Sequence, residues 1–352
     1  MLQFCRRFKW RLNLSFEAIS FESLLTKVFF LMQQILHNYP FLKWIGAIVV
    51  CFKLFKLSTF LLKLAYPYLR KNFEFTWKEL AKWAVITGGT DGIGKAYAEE
   101  LAERGFNICL ISRNIEKLNE VATEIQKTYK VSTKIINVDF TAGPEIYNII
   151  KIHLDELDGG VGILVNNVGM SYKYSEYFHA IPDGLKVMMD LINSNIASCT
   201  MMTKLILPQM EERGKGLIIN ISSLIAVYPT PLLTTYAACK AYVDYFSRAL
   251  QHEYKDKGIS IQCVLPGYVA TKMSNRRKRL EVPSAKAFVS SAIKTVGLED
   301  YTYGYLPHKL RGFFHEWLKA NMPTFVNMAI ALHYMTKSRK NYFRRLQKKD
   351  KK

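Results

Sequence analysis

The sequence predicts an α/β fold, a doubly wound parallel sheet with helices on both faces. Three observations carry this expectation. Short apolar runs recur through the middle of the chain, helix-patterned segments separate them, and a glycine-rich turn follows the first run. The runs are apolar at nearly every position, as strands buried on both faces require.

The first run, residues 83–87 (WAVIT), ends in Thr87-Gly88-Gly89-Thr90-Asp91-Gly92-Ile93-Gly94. The segment KAYAEELAERG follows with helical spacing and places Gly105 as a C-cap. NICLIS (107–112) is the second strand, followed by a helix over 114–129. KIINV (134–138) is the third, ending at Asp139, and GILVNN (162–167) is the fourth. A helix over 185–213 precedes GLIINISS (216–223), and a helix over 236–257 precedes ISIQCVL (259–265), which ends at Pro266-Gly267. Ligands of such sheets bind beyond the carboxyl ends of the strands. The motifs below cluster at that rim.

Charge is distributed unevenly. The formal net charge of +20 resolves into +9 over residues 1–82, −3 over 83–271 and +14 over 272–352. The basic flanks alternate with long apolar aromatic stretches, which points to an anionic membrane surface and away from nucleic acid. The six cysteines are scattered without a C-x-x-C pair or zinc spacing, and no H-E-x-x-H occurs. They read as buried thiols in a reducing compartment, and no metal is expected.

Residues 24–36 and 41–66 are apolar blocks, and the second is long enough to span a bilayer. Lys43, Lys53, Lys56 and Lys63 interrupt it, within about half of a helix circumference. The block therefore reads either as a membrane span with snorkelling lysines or as a helix lying in the interface. Arg70 and Lys71 orient the downstream domain toward the cytosol. Asn13-Leu14-Ser15 is a glycosylation sequon, read as unused. Residues 312–335 form a second Met- and aromatic-rich stretch, broken by Pro323, that suits an interfacial helix or a lid over an apolar pocket. The charged end, 348–352, is expected to be disordered and only partly matches a dilysine retrieval signal. The chain then divides into a membrane-associated region (1–80), an α/β domain (81–300) and an amphipathic extension with a basic tail (301–352).

The glycines of the turn are spaced G-x-x-x-G-x-G, as Gly88, Gly92 and Gly94. Small residues there, with Thr90 and Ile93, permit a tight turn and bring backbone amides and a helix N-terminus against a pyrophosphate. The second strand ends at Ser112-Arg113, where a site for NAD carries an acidic residue. Arg113 instead suits a ribose 2′-phosphate, so NADP(H) is the expected cofactor. Asp139 is placed to accept from the adenine amino group. Asn166-Asn167-Val168-Gly169 brings backbone near the adenosine, with Asn166 and Gly169 as contacts, and Thr271 is placed for the nicotinamide carboxamide.

Five Tyr-x-x-x-Lys pairs occur, but only Tyr236…Lys240 has a serine, Ser223, thirteen residues upstream. Tyr236 and Lys240 share a helix face. A nearby ammonium and an oxidised nicotinamide are both expected to lower the phenol pKa. Ser223 hydrogen-bonds the substrate oxygen, Tyr236 exchanges its proton, and Lys240 holds the nicotinamide ribose. Asn195 is read as the holder of a relay water or, alternatively, as a helix-kink residue.

In order and spacing these residues resemble the short-chain dehydrogenase/reductase family over about 83–300, with its Rossmann-type sheet. More narrowly, Gly92-Ile93-Gly94-Lys95-Ala96-Tyr97-Ala98-Glu99-Glu100-Leu101, Asn167-Val168-Gly169-Met170-Ser171-Tyr172 and Val269-Ala270-Thr271-Lys272 are similar to its membrane-bound branch. That resemblance implies an endoplasmic reticulum enzyme using NADPH to reduce 3-oxoacyl-CoA in very-long-chain fatty-acid elongation, beside the other elongation enzymes. Some members act on 17-keto steroids. The basic segment Arg276-Arg277-Lys278-Arg279 reads as a contact for CoA phosphates or as a patch facing solvent or headgroups. A non-catalytic membrane-tethered scaffold is the reading from another class. Acyl-CoA against steroid, and the oligomeric state including a homo-oligomer, stay open.

Overall fold

The computed structural model describes residues 37–69 and 75–350, with isolated positions between 26 and 34. The sequon, most of the 24–36 block, Arg70, Lys71 and the last two residues lie outside the described residues. The chain divides into two compact units, Met1–Asn72 and Phe73–Lys352.

In the first unit, α1 (Phe41–Leu69) is a 29-residue helix. Trp44, Ile45, Val50 and Leu54 are all exposed, so apolar side chains emerge around its circumference. Lys56 lies 4.7 Å from the centroid of the Phe52 ring. Among the described residues no helix is long and apolar enough to cross a membrane.

The second unit is a seven-stranded parallel sheet in the order β3-β2-β1-β4-β5-β6-β7. The strands are β1 (Trp83–Thr87), β2 (Asn107–Ser112), β3 (Thr133–Asn137), β4 (Val161–Asn166), β5 (Gly216–Ile221), β6 (Ile259–Val264) and β7 (Tyr301–Thr302). The two-residue side-chain period sorts each strand onto two cores. Ala84, Ile86, Leu110, Ile163 and Val165 pack on one face. Val85, Cys109, Ile111, Leu164 and Ile218 pack on the other. Cys109, Cys199, Cys239 and Cys263 are free thiols buried in this unit.

Local chemistry sets the helix ends. Asp91 caps α2 (Gly92–Glu103), its carboxylate accepting from Gly92 N at 2.7 Å. Asn114 caps α3 (Ile115–Tyr129) by accepting from Lys117 N at 2.8 Å, and Lys130 ends it in the left-handed region at φ 58°. Residues 146–155, for which the pattern gives no element, form α4 (Ile146–Asp155). Its Ile149 and Ile152 are exposed, which blurs the polar face that a helical pattern needs.

The single helix expected over 185–213 is three pieces: α5 (Gly184–Ile192), a π-helical turn (Asn193–Ala197) and α6 (Ser198–Glu212). The helix α7 (Thr234–Tyr254) starts two residues before Tyr236. α8 (Ala285–Ala292) precedes β7, whose residues pair with Cys263 and Val264 of β6. Residues 301 and 302 therefore belong to the sheet. α9 (Leu306–Asn321) and α10 (Thr324–Asp350) meet around Pro323. The basic end expected to be disordered is helical through Asp350, as a continuation of α10.

Candidate functional site

β1 and β4 are neighbours, and the strand order reverses between them, so a crevice opens beyond their carboxyl ends. Thr87 ties the two ends together. Its Oγ1 accepts from Asn167 N at 3.0 Å and Val168 N at 3.1 Å. The Asn167 amide donates to the carbonyls of Thr87 (3.0 Å) and Gly88 (3.1 Å) and so fixes the glycine turn. Gly88 and Gly92 hold φ of 65° and 54°, where glycine is the unstrained choice. A Cβ on Gly94 would sit 2.3 Å from the Gly88 carbonyl oxygen and 2.4 Å from Asn167 Nδ2. The turn is thus closed on its inner side, with the N-terminus of α2 exposed to the crevice. These features fit the pyrophosphate of a dinucleotide.

Further along the rim, Thr90 Oγ1 lies 3.2 Å from Ser112 Oγ. Arg113 is largely exposed and lies 3.6 Å from Asp139. Asp139 also accepts from Thr141 N and Oγ1 at 3.0 and 2.9 Å, which spends part of the acceptor capacity assigned to an adenine. Asn166 is a correction. Its side chain is buried and donates to Asn220 Oδ1 (2.8 Å) and Thr203 Oγ1 (3.1 Å), because a strand residue alternates face with its neighbour. Asn167 is the side chain that reaches the turn.

Ser223 lies two residues past β5 and accepts from Ile225 N at 3.3 Å. Its hydroxyl hydrogen-bonds the Tyr236 phenol. The Lys240 ammonium lies 6.0 Å from the centroid of the Tyr236 ring and donates to Ile221 O at 3.0 Å. Ser222 Oγ donates to Lys240 O at 2.7 Å and pins α7 to the end of β5. The predicted phenol, hydroxyl and ammonium are therefore brought together.

Asn195 sits in the π-helical turn, as its reading as a helix-kink residue expects. The widened turn frees the Leu191 carbonyl, which accepts from Asn195 Nδ2 at 3.0 Å, as does Met170 O. Its Oδ1 is buried without a partner. A Cβ on Gly169 would lie 2.6 Å from that oxygen and 3.2 Å from Lys240 Nζ. Gly169 thus permits the approach of Asn195 and Lys240.

Burial dominates the electrostatics of the protein groups. Burial pushes the Tyr236 phenol up to about 12, and the Ser223 hydrogen bond only partly offsets it. Burial also pulls the Lys240 ammonium down to about 8. Desolvation disfavours the charged form of each group and is the largest cause of each shift. A protonated phenol at neutral pH is an acid, the form needed to protonate a forming alkoxide.

Ile93, Thr271, Ser223, Tyr236 and Lys240 line one cleft of about 890 Å³ that begins at the glycine turn. α9 and α10 form its outer wall, through Arg311, His315, Ile330, Tyr334 and Met335, as the lid reading of residues 312–335 expects. α10 is clasped to the loop after β4. Arg339 makes a bidentate pair with Glu176 at 2.7 and 2.8 Å, and Tyr342 stacks on Tyr174 with ring centroids 4.5 Å apart. Of the basic segment 276–279, only Arg276 reaches the cleft, stacked 4.4 Å from the Tyr268 ring centroid. Arg277, Lys278 and Arg279 are exposed.

The chain is similar to known proteins. A family model described as short chain dehydrogenase matches residues 82–281. The chain is 46% identical over 318 residues to the very-long-chain 3-oxoacyl-CoA reductase of Macaca fascicularis, covering 90% of this chain and 100% of that protein. Among solved structures, a bulky-bulky ketone specific alcohol dehydrogenase from Comamonas testosteroni superposes with a TM-score of 0.57 at 27% identity, covering 69% of this chain and 95% of the other. A short-chain dehydrogenase from Sphingobium yanoikuyae, solved in complex with NADPH, gives a TM-score of 0.56 at 26% identity and covers 68% of this chain and 95% of the other. The matched residues run from before the first strand to beyond the catalytic helix, and on that ground this chain belongs to the short chain dehydrogenase family of oxidoreductases.

Proposed function

We propose that this chain reduces the 3-keto group of a long 3-oxoacyl-CoA with NADPH. The observation that carries this reading is the single cleft that joins the glycine turn, the Ser223–Tyr236–Lys240 set and the apolar wall of α10. The full-length similarity to a very-long-chain 3-oxoacyl-CoA reductase supports the substrate. Arg113 and the NADPH-bound structure of a related enzyme support the cofactor.

NADPH, when bound, supplies the hydride. Ser223 Oγ orients the substrate oxygen, and Tyr236 gives its phenol proton to that oxygen as negative charge develops. Lys240 holds the ribose hydroxyls, and a water held by the unpartnered Asn195 Oδ1 relays protons to Lys240. The pH profile follows from the signs above. kcat/KM for reduction is expected to hold through neutral pH and to fall as pH rises through about 8, where the Lys240 ammonium is lost while Tyr236 is still protonated. A profile of NADPH oxidation over pH 6–10 reads this directly. At the 2′-phosphate, Arg113→Ala is expected to raise the KM for NADPH about tenfold and to leave the KM for NADH unchanged.

The exposed apolar side chains of α1 support a membrane location, as a helix lying in the interface. In this reading the membrane is the endoplasmic reticulum, with the α/β domain toward the cytosol, α9 and α10 over its cleft and elongation enzymes as neighbours. Residues 1–80 are the anchor in this reading. The test is NADPH oxidation by detergent-solubilised protein on a long 3-oxoacyl-CoA against estrone. Turnover of the thioester alone supports the proposal, and turnover of the steroid alone replaces it with a 17-ketosteroid reductase. No NADPH consumption on either leaves the non-catalytic scaffold.

A further inference from the structure

We propose that α10 carries the phosphate half of the substrate site, with Lys337, Asn341 and Arg345 receiving the phosphates of a CoA thioester whose keto carbon lies at Tyr236. The inference rests on the acyl-CoA reading above and adds where the CoA lies. The three residues are spaced i, i+4 and i+8, so they form one stripe on the helix, and all three line the cleft that holds Tyr236.

The rotation of α10 about its axis is fixed independently of any ligand. Arg339 is committed to Glu176, and the ring of Tyr342 is committed to Tyr174. Those contacts hold one side of the helix to the loop after β4 and leave the Lys337–Asn341–Arg345 stripe on the cleft. Along its length the cleft-facing side changes character. It is apolar at Ile330, Ala331 and Met335, mixed at Tyr334, and cationic or amide at Lys337, Asn341 and Arg345. A fatty acyl thioester has the same sequence of chemistries, from hydrocarbon through a polar arm to phosphates. Tyr334 to Arg345 spans about 16 Å along the helix, the scale of an extended pantetheine arm.

The charge balance points the same way. Asp91 is the one carboxylate among the described residues lining the cleft, and it is paired with Lys272 at 2.9 Å. Lys337 and Arg345 make no ion pair among the described residues and face no acid across the cleft. Cations gathered there without counter-charge suit a polyanionic ligand. The segment Arg277-Lys278-Arg279, the other cluster of the right charge, does not line the cleft.

The test compares a long 3-oxoacyl-CoA with the same acyl chain on N-acetylcysteamine, which keeps the thioester and lacks every phosphate. It uses full-length protein in detergent with NADPH. Lys337→Ala combined with Arg345→Ala is expected to raise the KM for the CoA thioester about tenfold or more. The kcat, the KM for NADPH and kcat/KM for the N-acetylcysteamine thioester are expected to stay at wild-type values, and Arg345→Lys is expected to retain part of the CoA preference. Equal losses on both thioesters, or no loss on either, overturn the inference. So does a CoA-selective loss in the Arg277→Ala, Lys278→Ala, Arg279→Ala triple variant in its place. If wild-type protein reduces neither thioester, the acyl-CoA reading itself falls, an outcome told apart from the others by the unsubstituted enzyme alone.

Discussion

Replacing Tyr236 with phenylalanine is expected to lower kcat by about 10²–10⁴-fold, the range for removing a positioned general acid. The ring stays, so the packing beneath the cleft and the contact with Lys240 are kept. Only the hydroxyl that meets Ser223 is lost. NADPH affinity, followed by nicotinamide fluorescence, is expected to change less than about threefold, since Lys240 still holds its bond to Ile221 O and the glycine turn is untouched. A Phe variant that turns over at the wild-type rate would sink the proton assignment. A variant that loses cofactor affinity in step with kcat would recast Tyr236 as a binding residue.

The second large effect is expected at Gly94. An alanine there places its methyl against the Gly88 carbonyl oxygen and Asn167 Nδ2, both inside normal contact distance. Neither neighbour can yield cheaply, because the Asn167 amide is already bonded to the carbonyls of Thr87 and Gly88. Relief requires moving the turn away from α2, which takes apart the cradle for the pyrophosphate. NADPH affinity is expected to fall at least about tenfold, with a destabilisation of about 1–3 kcal/mol as for other overpacked sites. Gly105→Ala is the matched control for stability. Gly105 has φ of 88° but nothing within 4 Å of its Cβ position, so it strains the backbone without touching the turn. Unchanged NADPH affinity in Gly94→Ala would show that the turn does not hold the cofactor.

Much of this architecture is readable from residue order alone, for identifiable reasons. β1 and β2 run from Trp83 to Thr87 and from Asn107 to Ser112, as the pattern predicts, because both-face burial leaves no polar position inside them and Gly or Arg stands at each exit. Ser223, Tyr236 and Lys240 are legible because a strand end and a helix turn convert fixed spacing into fixed geometry. Three things resist such a reading. The π-helical turn at Asn193–Ala197 depends on a single extra residue within an otherwise helical pattern. Asn166 and Asn167 are adjacent and chemically identical, and only the strand register decides which one faces the turn. The placement of α10 rests on long-range pairs such as Glu176–Arg339, separated by 163 residues, and no local pattern encodes them.

That last separation has a consequence for how the molecule is made. Every strand of the sheet, the glycine turn and the catalytic helix are synthesised before Thr324, so a cofactor-competent core can form while the roof of its cleft is still on the ribosome. Variation in α10 can then retune which ligands enter with little risk to the folding of the core.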